Sequence, residues 1–332
     1  MKKRIGWVDT MKCICILFVM LAHLESGSPV LDAVYTPVFL TGFLFAAGYT
    51  YVPEDDFPEF MRKKGKTLLW PWLFFSTFNL LSAQVFSLHR HDSLWTELKW
   101  NLLQIRGEGD GLWFVAALFV AFVPFYWFIR WYESSRAGRK TECLLGITLS
   151  LLALSVFYSR KMDPELLPWN SSALPWHLEY AFQAGFFMTL GYLARVKNWQ
   201  DRGWWSVAVY AGVLLAGEAV ALWLWYPWQY LEQITGVFAL MGVSWKLPRH
   251  PVTEQLGRST LLCFALHGKV MSILEWMLRR AVPGGYAQVL ENPWLSPLLA
   301  MMLTVLMALI LLVPIGIINR WCPFLLGRKR RR

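Results

Sequence analysis

The sequence predicts an all-α, polytopic membrane bundle of about ten transmembrane helices with both termini in the cytoplasm. Three observations carry this. Hydrophobic residues fill 56% of the 332 positions and charged residues only 16%, against roughly 25% charged in an ordinary soluble domain. The apolar residues gather in stretches close to the ~20 residues needed to cross about 30 Å of hydrocarbon. The net charge of +10 is spread unevenly over the segments between those stretches. So little charge cannot cover a soluble enzyme. A chain with 20 Trp and 22 Phe is also neither disordered, nor collagen-like, nor a secreted disulfide scaffold.

The first apolar stretch, 7–24, follows Lys2, Lys3 and Arg4 as a signal peptide would, but no small-residue cleavage site follows, so it reads as a retained span. The next stretches lie at 35–52 and 67–88. The outer loop 89–111 then carries a short amphipathic helix around Trp95 to Ile105 that lies on the membrane. Further spans follow at 112–130, 142–159, 177–194 and 203–223. The eighth, 229–245, is set off by Trp225-Tyr226-Pro227-Trp228, an interfacial aromatic turn with a breaker. The last two are 260–278 and 295–319. With the N-terminus inside, 23 Lys and Arg fall on inner segments and 7 on outer ones, with Lys12 and Lys269 inside spans. That is the positive-inside pattern, and it puts both termini in the cytoplasm. The basic run Arg328 to Arg332 closely follows a span and reads as an anchor to anionic lipid rather than a nucleic-acid patch. With no internal repeat, residues 1–332 form one transmembrane domain of a multi-pass plasma-membrane protein.

Ionisable residues inside spans cost several kcal/mol each and need a partner or a role. The first span has Asp9, Lys12 and His23. Lys12 and His23 are eleven residues apart, close to three turns, so they share a face and lie about 16 Å apart along the axis. Asp9 is one turn before Lys12 and can pair with it. Spacing alone leaves two readings open: a polar stripe facing the bundle interior, or interfacial charges that snorkel with a wet histidine. His267 and Lys269 lie in the ninth span, His177 and Glu179 at the outer start of the sixth, Glu218 in the seventh and Glu232 in the eighth. The loop before the third span reads Arg62-Lys63-Lys64-Gly65-Lys66, more cations than topology requires. It serves either as anchoring or as a site for a polyanion such as the phosphates of coenzyme A. GxSxG, P-loop and HExxH motifs are absent. His89 and His91 with Asp92 make too small a set for zinc, and the five cysteines contain no CxxC pair. No metal is expected.

Taken in order, these segments resemble the membrane-bound acyltransferase-3 family, particularly its sugar O-acetyltransferase branch similar to fucose 4-O-acetylases. Ile5-Gly6-Trp7-Val8-Asp9-Thr10-Met11-Lys12 with His23 is similar to that family's first span. Pro37 through Tyr49 is similar to its Phe-rich second span. Lys63, Lys64 and Lys66 ahead of Leu69-Trp70-Pro71-Trp72 resemble its basic approach to the third. Gly111-Leu112-Trp113-Phe114 resembles its Leu-Trp-Phe segment, Phe186 through Tyr192 its sixth-span run, and Ser259 through His267 its late Ser–His segment. The chain departs from the pattern at Lys12 and Cys13, where Arg and Gly are common, and at Ala47, which replaces a Ser. It also has lysines for an Arg-x-x-Arg pair, and a lysine holds phosphate as a point charge rather than a fork.

The resemblance implies transfer of an acyl group, most often acetyl, from cytoplasmic acyl-CoA to a hydroxyl of a sugar or glycan in a bacterial cell envelope. His23 would be the base or the acyl carrier, with Asp9 and Lys12 orienting the site or stabilising developing charge. Lys63, Lys64 and Lys66 would hold the donor, and Trp113, Glu179 and His267 would contact the acceptor. The partners are then acyl-CoA, a glycan and the lipid bilayer, with no nucleic acid. The alternative is a polytopic transporter or flippase for lipid-linked sugars, which would share the buried charges but commonly shows an internal repeat.

Overall fold

Among the described residues each of the apolar stretches is largely helical, as expected where a backbone without water must satisfy its hydrogen bonds internally. A computed structural model describes residues 5–24, 26–86, 93–105, 111–167, 169, 172–201 and 204–328. Among these residues no strand is present. The helices are α1 (Gly6–Ala22), α2 (Pro29–Tyr35), α3 (Phe39–Tyr49), α4 (Phe57–Lys64), α5 (Trp70–Phe86), α6 (Leu94–Leu103) and α7 (Trp113–Ser134). They continue as α8 (Lys140–Lys161), α9 (Leu178–Val196), α10 (Trp205–Lys246), α11 (Pro251–Arg258), α12 (Thr260–Ala281), α13 (Gly285–Glu291) and α14 (Leu295–Trp321). Five segments among the described residues are long and apolar enough to cross a membrane: Pro29–Tyr49, Trp113–Ser134, Lys140–Lys161, Thr260–Ala281 and Leu295–Trp321. Large apolar side chains stay exposed on them, such as Phe157, Trp276 and Val313, as suits a surface that meets lipid rather than water. Lys2, Lys3, Arg4, His89, His91, Asp92 and the end of the basic tail lie outside the described residues, as does the side chain of Glu218.

The helix α10 is not a straight rod. A Cβ on Gly236 would lie 3.0 Å from the Tyr210 ring, yet 26 residues of straight helix span about 39 Å. Trp228 donates from Nε1 to the Val213 carbonyl at 3.1 Å, and a Cβ on Gly217 would lie 2.9 Å from the Glu232 carboxylate. Each contact pairs a residue of the first limb with one of the second in antiparallel register. The chain therefore doubles back between Gly217 and Trp228, where the aromatic-proline turn is expected. Glu232 packs against the facing limb.

The lysine cluster is on a helix and not in a loop. Pro58 opens α4, and a π turn (Gly65–Leu69) joins α4 to α5. Helical structure thus begins at Phe57, ten residues before the expected third span. Ion pairs from Glu59 to Arg62 at 2.8 Å and to Lys63 at 3.7 Å, one turn apart, support a helix that apolar periodicity does not reveal. Its buried face lies antiparallel on α7: Phe57 is 5.4 Å from Trp127 and Phe60 is 5.9 Å from Phe122, ring centre to ring centre. The amphipathic helix expected at Trp95 to Ile105 is present as α6, which is capped by Ser93.

The chain forms two compact units. The first comprises Met1–Ala46 and Ala194–Ile317, the second Ala47–Leu193 and Ile318–Arg332. In the first, α1 is the central helix, and Met11, Cys15, Ile16 and Met20 are fully buried. Two glycines allow close approach to it. A Cβ on Gly257 would meet the Asp9 carbonyl oxygen at 1.8 Å, and one on Gly42 would meet Cys15 Sγ at 2.5 Å. In the second unit, Tyr51 packs edge-on against Phe60, Phe125 and Tyr192. There Gly48 lets α3 touch α9, because a Cβ would lie 1.8 Å from the Met188 carbonyl oxygen.

Candidate functional site

The first unit assembles the polar stripe of α1 with groups from α11 and α12. Asp9 is 3% exposed. Its carboxylate accepts from Lys12 Nζ at 3.4 Å, as the one-turn spacing predicts, and from Arg258 Nε at 3.3 Å. Arg258 also pairs with Glu254, one turn earlier on α11. A buried carboxylate is thus offset by two cations, and the backbone contact at Gly257 holds α11 where Arg258 can reach it. Without that compensation, burial of the charge would cost several kcal/mol.

His23 caps the C-terminal end of α1 in helical conformation, its N–H donating to the Val19 carbonyl at 3.3 Å. It is exposed, and its ring centre is 4.9 Å from that of His267 on α12. His267 is 7% exposed. Its Nδ1 lies 2.9 Å from the Phe264 carbonyl and 3.2 Å from that of Cys263. A carbonyl only accepts, so Nδ1 carries the proton and Nε2 keeps its lone pair. An accessible imidazole beside one held in a single tautomer can take up and pass on a proton. Sequence reasoning placed His267 with Trp113 and Glu179; the structure places it against His23.

Trp113 and Glu179 meet in the second unit, through His177. The Trp113 ring is 4.6 Å from His177 and 5.5 Å from Tyr180. Glu179 accepts from the Leu174 N–H at 2.8 Å, and its Oε1 lies 3.3 Å from His177 Nδ1, within ion-pair distance.

The three lysines, expected to act together, have different surroundings. Lys63 pairs with Glu54 at 2.8 Å and with Glu59. The Glu54 bond holds its ammonium above the usual lysine range, and the Arg62 guanidinium holds Glu59 below the usual carboxylate range. Lys64 lies over the Phe122 ring at 3.7 Å, a cation–π contact. Lys66 lines a cleft of about 650 Å³ together with Gly65, Leu69, Trp70, Phe324 and Arg328. The C-terminal strap bounds this cleft: Trp70 donates to the Phe324 carbonyl at 2.9 Å, and Gly327, at φ +65°, touches the Lys66 carbonyl. A π turn in a helix frequently marks a functional position.

Arg258 and His177 are the residues that sequence reasoning passed over as site members. Arg258 was absorbed into the inner charge count. His177 appeared only beside Glu179. Spacing across 249 residues gives no sign that Arg258 meets Asp9.

A family model described as an acyltransferase domain, acyltransferase-3, matches residues 5–313. No curated protein and no solved structure matches the chain.

Proposed function

The chain belongs to the acyltransferase-3 family, and on that premise we propose that this membrane acyltransferase moves an acetyl group from acyl-CoA to a hydroxyl of a sugar or glycan. The observation that carries the reading is the pairing of an accessible His23 with His267 on a helix face anchored by Asp9, Lys12 and Arg258.

A hydroxyl is a poor nucleophile near neutral pH until a base removes its proton during attack. In this reading His23 takes the acceptor proton as the hydroxyl oxygen attacks the thioester carbonyl. The carbon–sulfur bond breaks, the thiolate leaves, and the imidazolium returns the proton to sulfur. The products are the O-acyl ester and the free thiol. His267, with Nε2 unprotonated, keeps a basic group beside His23. Asp9, Lys12 and Arg258 orient the α1 face that carries His23 through their ion pairs. The alternative covalent route has His23 attack the thioester itself. Mixing enzyme and donor without acceptor separates the two, since an acyl-imidazole accumulates only on the covalent route.

The donor phosphates are assigned to Lys66, whose cleft Arg328 also lines, with Lys63 and Lys64 contributing field rather than contact, because Lys63 pairs with Glu54 and Glu59 and Lys64 lies over Phe122. The acceptor is assigned to Trp113 and Glu179. A cytoplasmic donor and a bacterial plasma membrane complete the reading, and the 23-to-7 charge asymmetry supports its orientation. The decisive experiment incubates purified protein with radiolabelled acetyl-CoA and candidate glycans. Label must pass to glycan with the native enzyme and fall at least ~100-fold with His23→Ala. Transfer unchanged in that variant would remove His23 from the chemistry.

A further inference from the structure

His177 combines three unusual features. Trp176 and His177 are consecutive non-glycine residues in the left-handed region, at φ 58° and 53°. Such conformations are costly and cluster at functional sites, where the surroundings hold them. Here Pro175 leads the turn, and the His177 N–H closes it on the Leu174 carbonyl at 3.0 Å. The second anomaly is burial: His177 is 1% exposed and its Nε2 has no hydrogen-bond partner. An unpaired buried polar atom is expensive, and in native folds it calls for an explanation. The third is the company it keeps. Trp113, Trp176 and Tyr180 beside it are only half-buried, so an aromatic wall stays reachable next to a polar atom with nothing to bind.

The chemistry of the vacant nitrogen follows from its neighbour. Glu179 Oε1 faces Nδ1 at 3.3 Å and only accepts when ionised, so the proton belongs on Nδ1, and in the neutral imidazole Nε2 presents a lone pair. The group that satisfies it must donate, as a hydroxyl does. An anion without hydroxyls offers only acceptors, and an acidic sugar, though it can donate, brings its carboxylate against the Glu179 charge. The Tyr158 hydroxyl is a second buried polar atom without a partner. It lies one turn beyond Ser155, whose hydroxyl donates to the Glu179 carbonyl.

We propose that His177 is a saccharide-binding residue: its Nε2 accepts a hydroxyl of a neutral sugar whose ring lies against the Trp113 and Tyr180 side chains. The site selects neutral over acidic sugars. This deepens the acceptor assignment above and rests on it for its catalytic meaning, but not for binding.

The test uses full-length protein in detergent without any acyl donor. Tryptophan fluorescence is titrated with methyl β-glucoside and with methyl β-glucuronide, its acidic counterpart. The glucoside should bind and the glucuronide at least tenfold more weakly. His177→Asn keeps a donor where Nδ1 was, and so a polar contact toward Glu179, but removes Nε2. It should melt with the native protein and bind the glucoside about tenfold more weakly. In turnover with any accepted glycan it should raise acceptor KM with kcat nearly kept. Equal binding of both glycosides, no binding of either, or native affinity in His177→Asn would each overturn the proposal. A variant that loses melting temperature but not affinity would mark a purely structural histidine. Sugar binding with no acyl transfer by the native enzyme would instead remove the proposed function and leave this site standing.

Discussion

Replacing Gly257 by Ala should disable the first unit's site without touching a charged group. The added Cβ would lie 1.8 Å from the Asp9 carbonyl oxygen and 2.6 Å from its carbon. Both partners are backbone, so no side chain can swing aside. Restoring an ordinary contact of about 3.4 Å moves α11 off α1 by roughly 1.6 Å. Forcing a methyl into a packed contact costs about 1–3 kcal/mol. The same movement lengthens the Arg258–Asp9 contact from 3.3 Å to about 5 Å, outside ion-pair range. At an effective dielectric near 20, that stretch loses about 1.5 kcal/mol of attraction, and roughly 1 after allowing for the part-exposed guanidinium. The total is about 2–4 kcal/mol. Thermal unfolding in detergent should show a clear drop in midpoint, and acetyl transfer should fall with it. Arg258→Met, which removes the ion pair but not the helix contact, should show only the smaller share. If Gly257→Ala melted with the native protein and kept activity within twofold, the close packing of α11 on α1 and its role in aiming Arg258 would both be refuted.

Asp9→Asn should destabilise by about 1–2 kcal/mol, since it strips two part-exposed cations of their buried counter-ion; a denaturation curve matching the native one would deny the pairing. His267→Asn keeps a donor toward the Phe264 and Cys263 carbonyls but removes Nε2. It should fold and lose most turnover, and unchanged kcat would return His267 to a structural role. Lys66→Ala should raise KM for acetyl-CoA severalfold while Lys63→Ala changes it little, because Lys63 is already paired with Glu54 and Glu59. Equal effects at both positions would restore the lysines to one cluster.

How much of this was legible in the sequence depends on range. Composition and stretch length established a helical membrane protein, because a bilayer imposes one rule on every span. The Asp9–Lys12 pair was legible because one helical turn separates the two residues. The reversal inside α10 was legible because aromatic residues and Pro227 mark it. The start of α4 was hidden: its helix is stabilised by ion pairs and by burial of Phe57 and Phe60 on α7, and neither appears in an apolar count. The number of spans read as ten rests on that count, and five described segments meet the membrane criterion on length and hydropathy.

The sequence by itself determined the solvent this protein lives in, its family resemblance and which residues are candidates for chemistry. Only the tertiary structure decided which of those residues meet. It put His267 beside His23, Arg258 on Asp9, and His177 between Glu179 and Trp113, and it gave three neighbouring lysines three different surroundings. The physical reason is that local chemistry is written in spacing of a few residues, whereas a site is closed by contacts between distant helices. Their register is set by packing, here by the glycines that let backbones touch.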